Sequence, residues 1–119
     1  MVPSRVLKTQ QLAKIIAQLE GYNRPGTLAQ RQNNPGNLRY VGQLGAAKGD
    51  KGFAKFKTPQ DGFNALHSQI GLDASRGYTL KQFIYKYAPP TSNNSAAYLA
   101  SVALALKARP EHRLGDILK

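Results

Sequence analysis

The sequence contains no cysteine, which excludes disulfides, thiol nucleophiles and cysteine-ligated metals together. Its two histidines, His67 and His112, stand far apart without the spacing of metal ligands, so neither a metal nor a cofactor is expected. His67 falls beside the apolar face of a predicted helix and reads as a core-edge residue. Acids are scarce: Glu20, Asp50, Asp61, Asp73, Glu111 and Asp116 are all there are, and any acid–base chemistry must draw on those six. No apolar run approaches the length of a membrane-spanning helix, and residues 1–8 lack the apolar core of a secretory signal. The chain is therefore expected to have no integral membrane segment and to depend on another agent for delivery outside the cytoplasm.

What is abundant is positive charge. Seventeen Lys and Arg against six acids give a net charge of +11, which attracts polyanions such as nucleic acid, anionic membranes and bacterial cell wall. The cations are scattered singly and no nucleic-acid motif is present, so no specific nucleic-acid partner is expected. With 119 residues, a single folded domain spanning 1–119 is expected. A monomer is the default, since neither a heptad pattern nor a long exposed strand suggests otherwise.

In chain order, residues 1–8 read as an extended or frayed lead-in, and Thr9 as the N-cap of a helix over 10–20. Residues 22–37, rich in Gly, Pro, Asn and Gln, read as an ordered loop with turns at Arg24-Pro25-Gly26 and Asn34-Pro35-Gly36. Residues 37–41 and 53–57 alternate like strands, joined by a long, mobile glycine-rich connection over 42–52. Thr58, Pro59 and Asp61 form an orthodox helix start, with Phe63, Leu66 and Ile70 on the buried face and an end before Gly77. Thr79 caps a third helix, stopped by Pro89-Pro90, and Asn93 or Asn94 caps a fourth that Pro110 breaks. A last short turn follows around Leu114, Ile117 and Leu118. The expected class is α+β, helix-dominated, with a small antiparallel β-hairpin after the first helix.

Among the six acids Glu20 stands out. Leu12, Ile15, Ile16 and Leu19 recur at helical spacing, and Glu20 follows at the edge of their stripe. Gly21 is a natural helix terminator, which puts the carboxylate in the last turn, at the negative end of the helix dipole. Partial burial and that dipole both favour the protonated form, as a general acid near neutral pH requires.

LEGYN around Glu20, NNPGNLRY, FAKFKTPQDGFNAL and KYAPPTSNNSAAY occur in that order across residues 19–98. This ordered set resembles the lysozyme-like superfamily, in particular small phage and bacterial peptidoglycan-cleaving domains of lytic transglycosylase or muramidase type. The resemblance implies a lysozyme-like fold, with Glu20 protonating the glycosidic oxygen of peptidoglycan glycan strands. It further implies substrate contacts from Asn37, Arg39, Tyr40, Phe56, Tyr87, Asn94 and Tyr98.

One departure shapes the expected chemistry. Most glycosidases use two carboxylates, and the hairpin region offers only Asp50, in a glycine-rich connection between Lys48 and Lys51, while Asp61 has a capping role. A lytic transglycosylase needs a single glutamate, acting as acid and then as base, and the missing partner favours that chemistry over hydrolysis. Action at the cell wall then implies release from the host cytoplasm, a phage virion or a secretion apparatus. Two other classes fit parts of the sequence: a non-catalytic wall-binding or virion structural module of the same shape, and a basic nucleic-acid binder.

Overall fold

The computed structural model describes residues 3–119; the first two residues of the expected lead-in lie outside them. Its elements are α1 (Ser4–Leu19), α2 (Leu28–Arg31), β1 (Ala46–Lys48), β2 (Ala54–Phe56), α3 (Pro59–Ser75), α4 (Leu80–Tyr87), α5 (Ser95–Leu106) and α6 (Leu114–Ile117). Helices dominate an α+β fold, as expected. The chain divides into two compact units, one comprising Met1–Leu12 with Ile70–Lys119 and the other Ala13–Gln69. Helices α1 and α3 each contribute residues to both.

Helix α1 starts six residues earlier than its sequence suggests. The Pro3 carbonyl accepts from the Val6 and Leu7 amides at 3.1 and 3.2 Å, so the first turn forms on Pro3 and Thr9 is internal. The run SRVLKTQQ contains neither glycine nor an internal proline to stop it, and a proline just ahead of a first turn loses no hydrogen bond there.

In the unit formed by Ala13–Gln69, the buried apolar residues are Ala13, Ile16 and Ala17 of α1, Ala29 of α2, Ala54 and Phe56 of β2, and Leu66 of α3. The hairpin differs from expectation. Strand β1 lies inside the glycine-rich segment predicted to be a mobile connection and pairs antiparallel with β2, Ala46 opposite Phe56 and Lys48 opposite Ala54. Residues 37–41 instead make one isolated bridge, Arg39 opposite Phe53. Positive φ at Asn37 and Gly42 closes both ends of that segment, which limits its pairing to the Ala54 N to Leu38 O and Tyr40 N to Gly52 O bonds. Helix α3 begins as predicted, with the Asp61 amide donating to Thr58 Oγ1 at 3.1 Å.

In the other unit, Leu12, Ile70, Ala74, Leu80, Phe83, Ile84, Ala88, Leu99, Val102, Leu114 and Leu118 form the buried apolar set. Thr79 and Gln82 make the full capping box of α4, and Asn94 Oδ1 accepts from the Ala97 amide to cap α5. Between them, the buried Ser95 hydroxyl donates to the Ala88 carbonyl and Asn93 Nδ2 to the Pro89 carbonyl. Those two bonds fix the PPTSNN loop.

Candidate functional site

Glu20 is the last residue of the α1 spiral. Its amide donates to the Ile16 carbonyl at 2.8 Å, continuing the helical pattern one residue past Leu19. Gly21 then turns with φ +81°, donating to Gln18 O at 3.1 Å, while Tyr22 N reaches back to Ala17 O at 2.9 Å. This pair of bonds is a complete Schellman motif with Gly21 at C′ and Glu20 as C-cap. The result is a half-buried glutamate whose backbone is fixed by a preceding helix and a following turn. A side chain at residue 21 would meet the Arg24 guanidinium 2.7 Å from its Cβ, besides the cost of the left-handed backbone.

The polypeptide after Gly21 is tied down bond by bond. Thr27 Oγ1 lies 2.8 Å from the Gly21 carbonyl and 3.1 Å from that of Arg24, and accepts from the Gln30 amide to cap α2. The Arg31 guanidinium donates to Gly26 O at 3.2 Å. What reads as an ordered loop thus contains a short helix and anchors the turn that presents Glu20.

The next segment carries a role that the sequence reading missed. Gln32, Asn33 and Asn34 use their side-chain amides to bond backbone groups of the hairpin. Asn34 Nδ2 lies 2.9 Å from both the Leu38 and Ala54 carbonyls, and its Oδ1 accepts from the Leu38 amide. Gln32 Nε2 donates to Ala54 O, and its Oε1 accepts from the Asp50 amide at 2.7 Å. Asn33 Nδ2 donates to Phe56 O at 3.1 Å. Both Gln32 and Asn34 are buried. The three amides act as a surrogate strand along β2, satisfying carbonyls that a third strand would otherwise meet. The sequence signal was three consecutive amides before Pro-Gly, a pattern that also fits an ordinary turn.

The residues that the resemblance assigns to substrate fall in different settings. Asn37 has φ +50°, and its Oδ1 is buried with no hydrogen-bond partner among the described residues. A buried acceptor left unused is costly, and a ligand donor would relieve it. The Arg39 guanidinium lies 4.6 Å from the Phe53 ring centroid and donates to the Lys51 carbonyl, a braced position at the protein surface. Tyr40 is exposed. Phe56 is a correction: its ring is fully buried, because β2 turns Ala54 and Phe56 inward and Lys55 outward, so it packs the core instead of meeting a ligand. Those four residues and Glu20 belong to the unit Ala13–Gln69.

Tyr87, Asn94 and Tyr98 belong to the other unit. Tyr87 is half-buried in the last turn of α4, its ring 5.6 Å from that of Phe83. Asn94 uses Oδ1 as the α5 cap, and Tyr98 is half-buried in the first turn of α5.

Of the other acids, Asp50 is exposed in a single 3-10 turn over Asp50–Gly52, with a loose 3.8 Å ion pair to Arg31. Asp61 packs its carboxyl against the Gly45 turn, where a Cβ would lie 2.8 Å from its Cγ. His67 lies one helical turn beyond Phe63, their rings 6.3 Å apart, and Phe63 meets Tyr22 edge-on at 5.5 Å. Burial pulls the His67 pKa below its ordinary 6.5. No group of three or more metal-ligating side chains occurs among the described residues.

No protein-family model matches the chain, and no curated protein or solved structure matches it significantly.

Proposed function

We propose that the chain is a lysozyme-like peptidoglycan-cleaving enzyme that acts on the MurNAc–GlcNAc β-1,4 bond as a lytic transglycosylase, with Glu20 as its single acid–base group. The observation that carries this reading is the setting of Glu20: a half-buried carboxylate whose backbone is held between a helical turn and a Schellman turn. A general acid needs a fixed position relative to the oxygen it protonates, and this backbone supplies one. Further support comes from Asn37, whose unused buried acceptor suits a hydroxyl or acetamido N–H of a sugar. The net charge of +11 suits an anionic wall polymer.

The chemistry balances with one carboxyl group. Glu20 gives its proton to the glycosidic oxygen, the C1–O4 bond breaks, and the alcohol of the GlcNAc fragment departs. The N-acetyl group of MurNAc stabilises the cation at C1. The Glu20 carboxylate then takes the proton of the MurNAc C6 hydroxyl, whose oxygen closes on C1 to form the 1,6-anhydro ring. No water is consumed and the acid is regenerated. Hydrolysis would need a base for water, for which Asp50 and Asp61 are the nearest acids in the sequence of this unit.

The test is mass spectrometry of soluble fragments from purified peptidoglycan incubated with the wild-type chain or with Glu20→Gln. Products ending in 1,6-anhydro-MurNAc from the wild type, reduced at least a thousandfold in the variant, are expected. Undiminished products from Glu20→Gln would remove Glu20 from the reaction. Reducing-end products would replace the transglycosylase with a hydrolase. Wall binding without products from either protein would make the chain a binding module.

A further inference from the structure

The most exposed apolar side chains in the unit Ala13–Gln69 are clustered, and the fold holds them in place. Leu44 is 94% exposed and Val41 80% exposed, and Tyr40 beside them is also open to solvent. All three sit on the segment that leads from the Arg39 bridge to β1. An isolated exposed leucine is ordinary, but this group lies within five residues.

The segment is braced. Gln43 Nε2 donates to the Arg39 carbonyl at 2.7 Å, and its Oε1 accepts from the Val41 amide at 2.9 Å. The Ala46 amide donates to the Gln43 carbonyl, and Gly42 and Gly45 take the positive φ angles that the two bends require. One side chain thus ties both ends of the Val41 bend while Val41 and Leu44 point into water. Bonds that fix apolar side chains outward bring no burial in return, which is the mark of a surface prepared for an apolar partner.

Cations surround this tip. Arg39 begins it and donates to the Lys51 carbonyl at 3.2 Å. The Lys57 amide donates to Gly45 O at 3.0 Å, which places Lys57 next in space to the residue following Leu44. Lys55 lies on the exposed face of β2, opposite Ala47. The acids near the tip are Asp50, 3.8 Å from Arg31, and Asp61, against Gly45. From residue 39 to residue 61 there are five cations and two acids after Arg39 itself is counted.

We propose that the Tyr40–Leu44 tip is an anionic-lipid contact: Val41 and Leu44 enter the acyl boundary, Tyr40 sits at headgroup level, and Arg39, Lys51, Lys55 and Lys57 meet the phosphates. Aliphatic residues with a tyrosine and a basic surround match an interfacial anchor. A glycan fits less well, because sugar faces stack on rings and this tip is mainly aliphatic. A second copy fits less well too, since it would press like charges together. No described helix is long and apolar enough to cross a membrane, so the contact is peripheral. The proposal shares Arg39 and Tyr40 with the glycosidase reading, but its test rests on Val41 and Leu44, neither of which is assigned to glycan, so the two can fail separately.

Flotation of the full chain with vesicles tests it. Vesicles of phosphatidylcholine with 30% phosphatidylglycerol should retain the wild type, and pure phosphatidylcholine should retain it about six-hundredfold less, at roughly fivefold for each of the four engaged cations. Val41→Ser/Leu44→Ser should lose at least tenfold on the mixed vesicles with an unchanged circular dichroism spectrum, since both side chains are exposed. Leu44→Ser alone should lose about threefold to tenfold and carries the test if the double variant misfolds. Leu104→Ser, at an 82% exposed leucine of α5, should bind as the wild type does. Unchanged binding by the double variant would reduce the interaction to charge alone and overturn the proposal. Equal loss in Leu104→Ser would move the contact elsewhere, and a dimer that the tip substitutions dissolve would make a second copy the occupant; either result overturns it.

Discussion

The two units differ in the groups they bury at greatest cost. In Ala13–Gln69 the buried polar side chains are neutral amides, Gln32 and Asn34, each bonded to two or more backbone groups of the hairpin. In the other unit, beside the Ser95 hydroxyl bonded to the Ala88 carbonyl, the buried polar group is a charge: the Asp73 carboxylate lies 2.9 Å from Arg76 and 2.7 Å from Lys86. The difference matters because of where the partners are. Asn34 faces backbone groups that cannot turn away, whereas Arg76 and Lys86 are each nearly half exposed and can turn to water. A neutral residue is therefore harder to replace here than a charged one, contrary to what charge alone would suggest.

The sharpest way to break this arrangement is Gly62→Ala. Gly62 lies inside α3, and a Cβ there would sit 2.0 Å from the Asn33 carbonyl oxygen and 2.7 Å from Pro35 Cδ. The first obstacle is backbone, so the amide-bearing loop itself must move, with the loss of several bonds to β2. Destabilisation of about 4 kcal/mol or more is expected from overpacking combined with those losses, measured by urea unfolding. Destabilisation below about 1 kcal/mol would mean that the loop and helix are not rigidly apposed.

Next come paired substitutions that compare the units directly. Asn34→Ala leaves the Leu38 amide without its acceptor and takes one donor each from the Leu38 and Ala54 carbonyls, which keep the Ala54 amide and Gln32 Nε2, and is expected to cost about 3 kcal/mol. Asp73→Asn keeps the volume and releases two cations toward solvent, and is expected to cost about 1 to 2 kcal/mol, below the roughly 3 to 5 kcal/mol of a broken buried pair because neither cation left behind is buried. Raising salt should reduce the Asp73→Asn penalty and leave the Asn34→Ala penalty unchanged. A larger loss for Asp73→Asn in urea melts would reverse the ranking and make the ion cluster the firmer of the two devices.

These residues also mark how much the sequence disclosed. Caps were legible because their chemistry is local: Thr58, Thr79 and Asn94 each bond an amide three residues ahead. Glu20 at a helix end was legible for the same reason, through Gly21. The amide stitching was not, because Gln32 and Asn34 find their partners about twenty residues away, and only the fold brings those carbonyls near. Gly62 was visible as part of a motif, but its reason is the approach of the Asn33 backbone. The substrate role of Phe56 came from the resemblance, and its burial was not legible beforehand because alternation in a short strand identifies two faces without saying which one is buried. The hairpin register shifted since a glycine-rich run such as 42–52 allows several pairings, and side-chain bonds from Gln32 and Gln43 select among them.

The smallest expected effect concerns a group that belongs to neither device. His67 is half-buried beside Phe63, and burial lowers its pKa from 6.5 because an imidazolium there gives up hydration. The unfolded chain then binds a proton at residue 67 more readily than the folded chain does. As pH falls through the window just below 6.5, protons accumulate on the unfolded state first, so stability drops; above that window the neutral ring carries no penalty. His67→Gln removes this dependence. Thermal melts at pH 7.5 and 5.0 should show the wild type losing more stability on acidification than the variant. The carboxylates titrate alike in both proteins, so the difference between them isolates the imidazole. Equal losses would place the ring in solvent and leave Phe63 and Tyr22 as the sole packing partners at that end of α3.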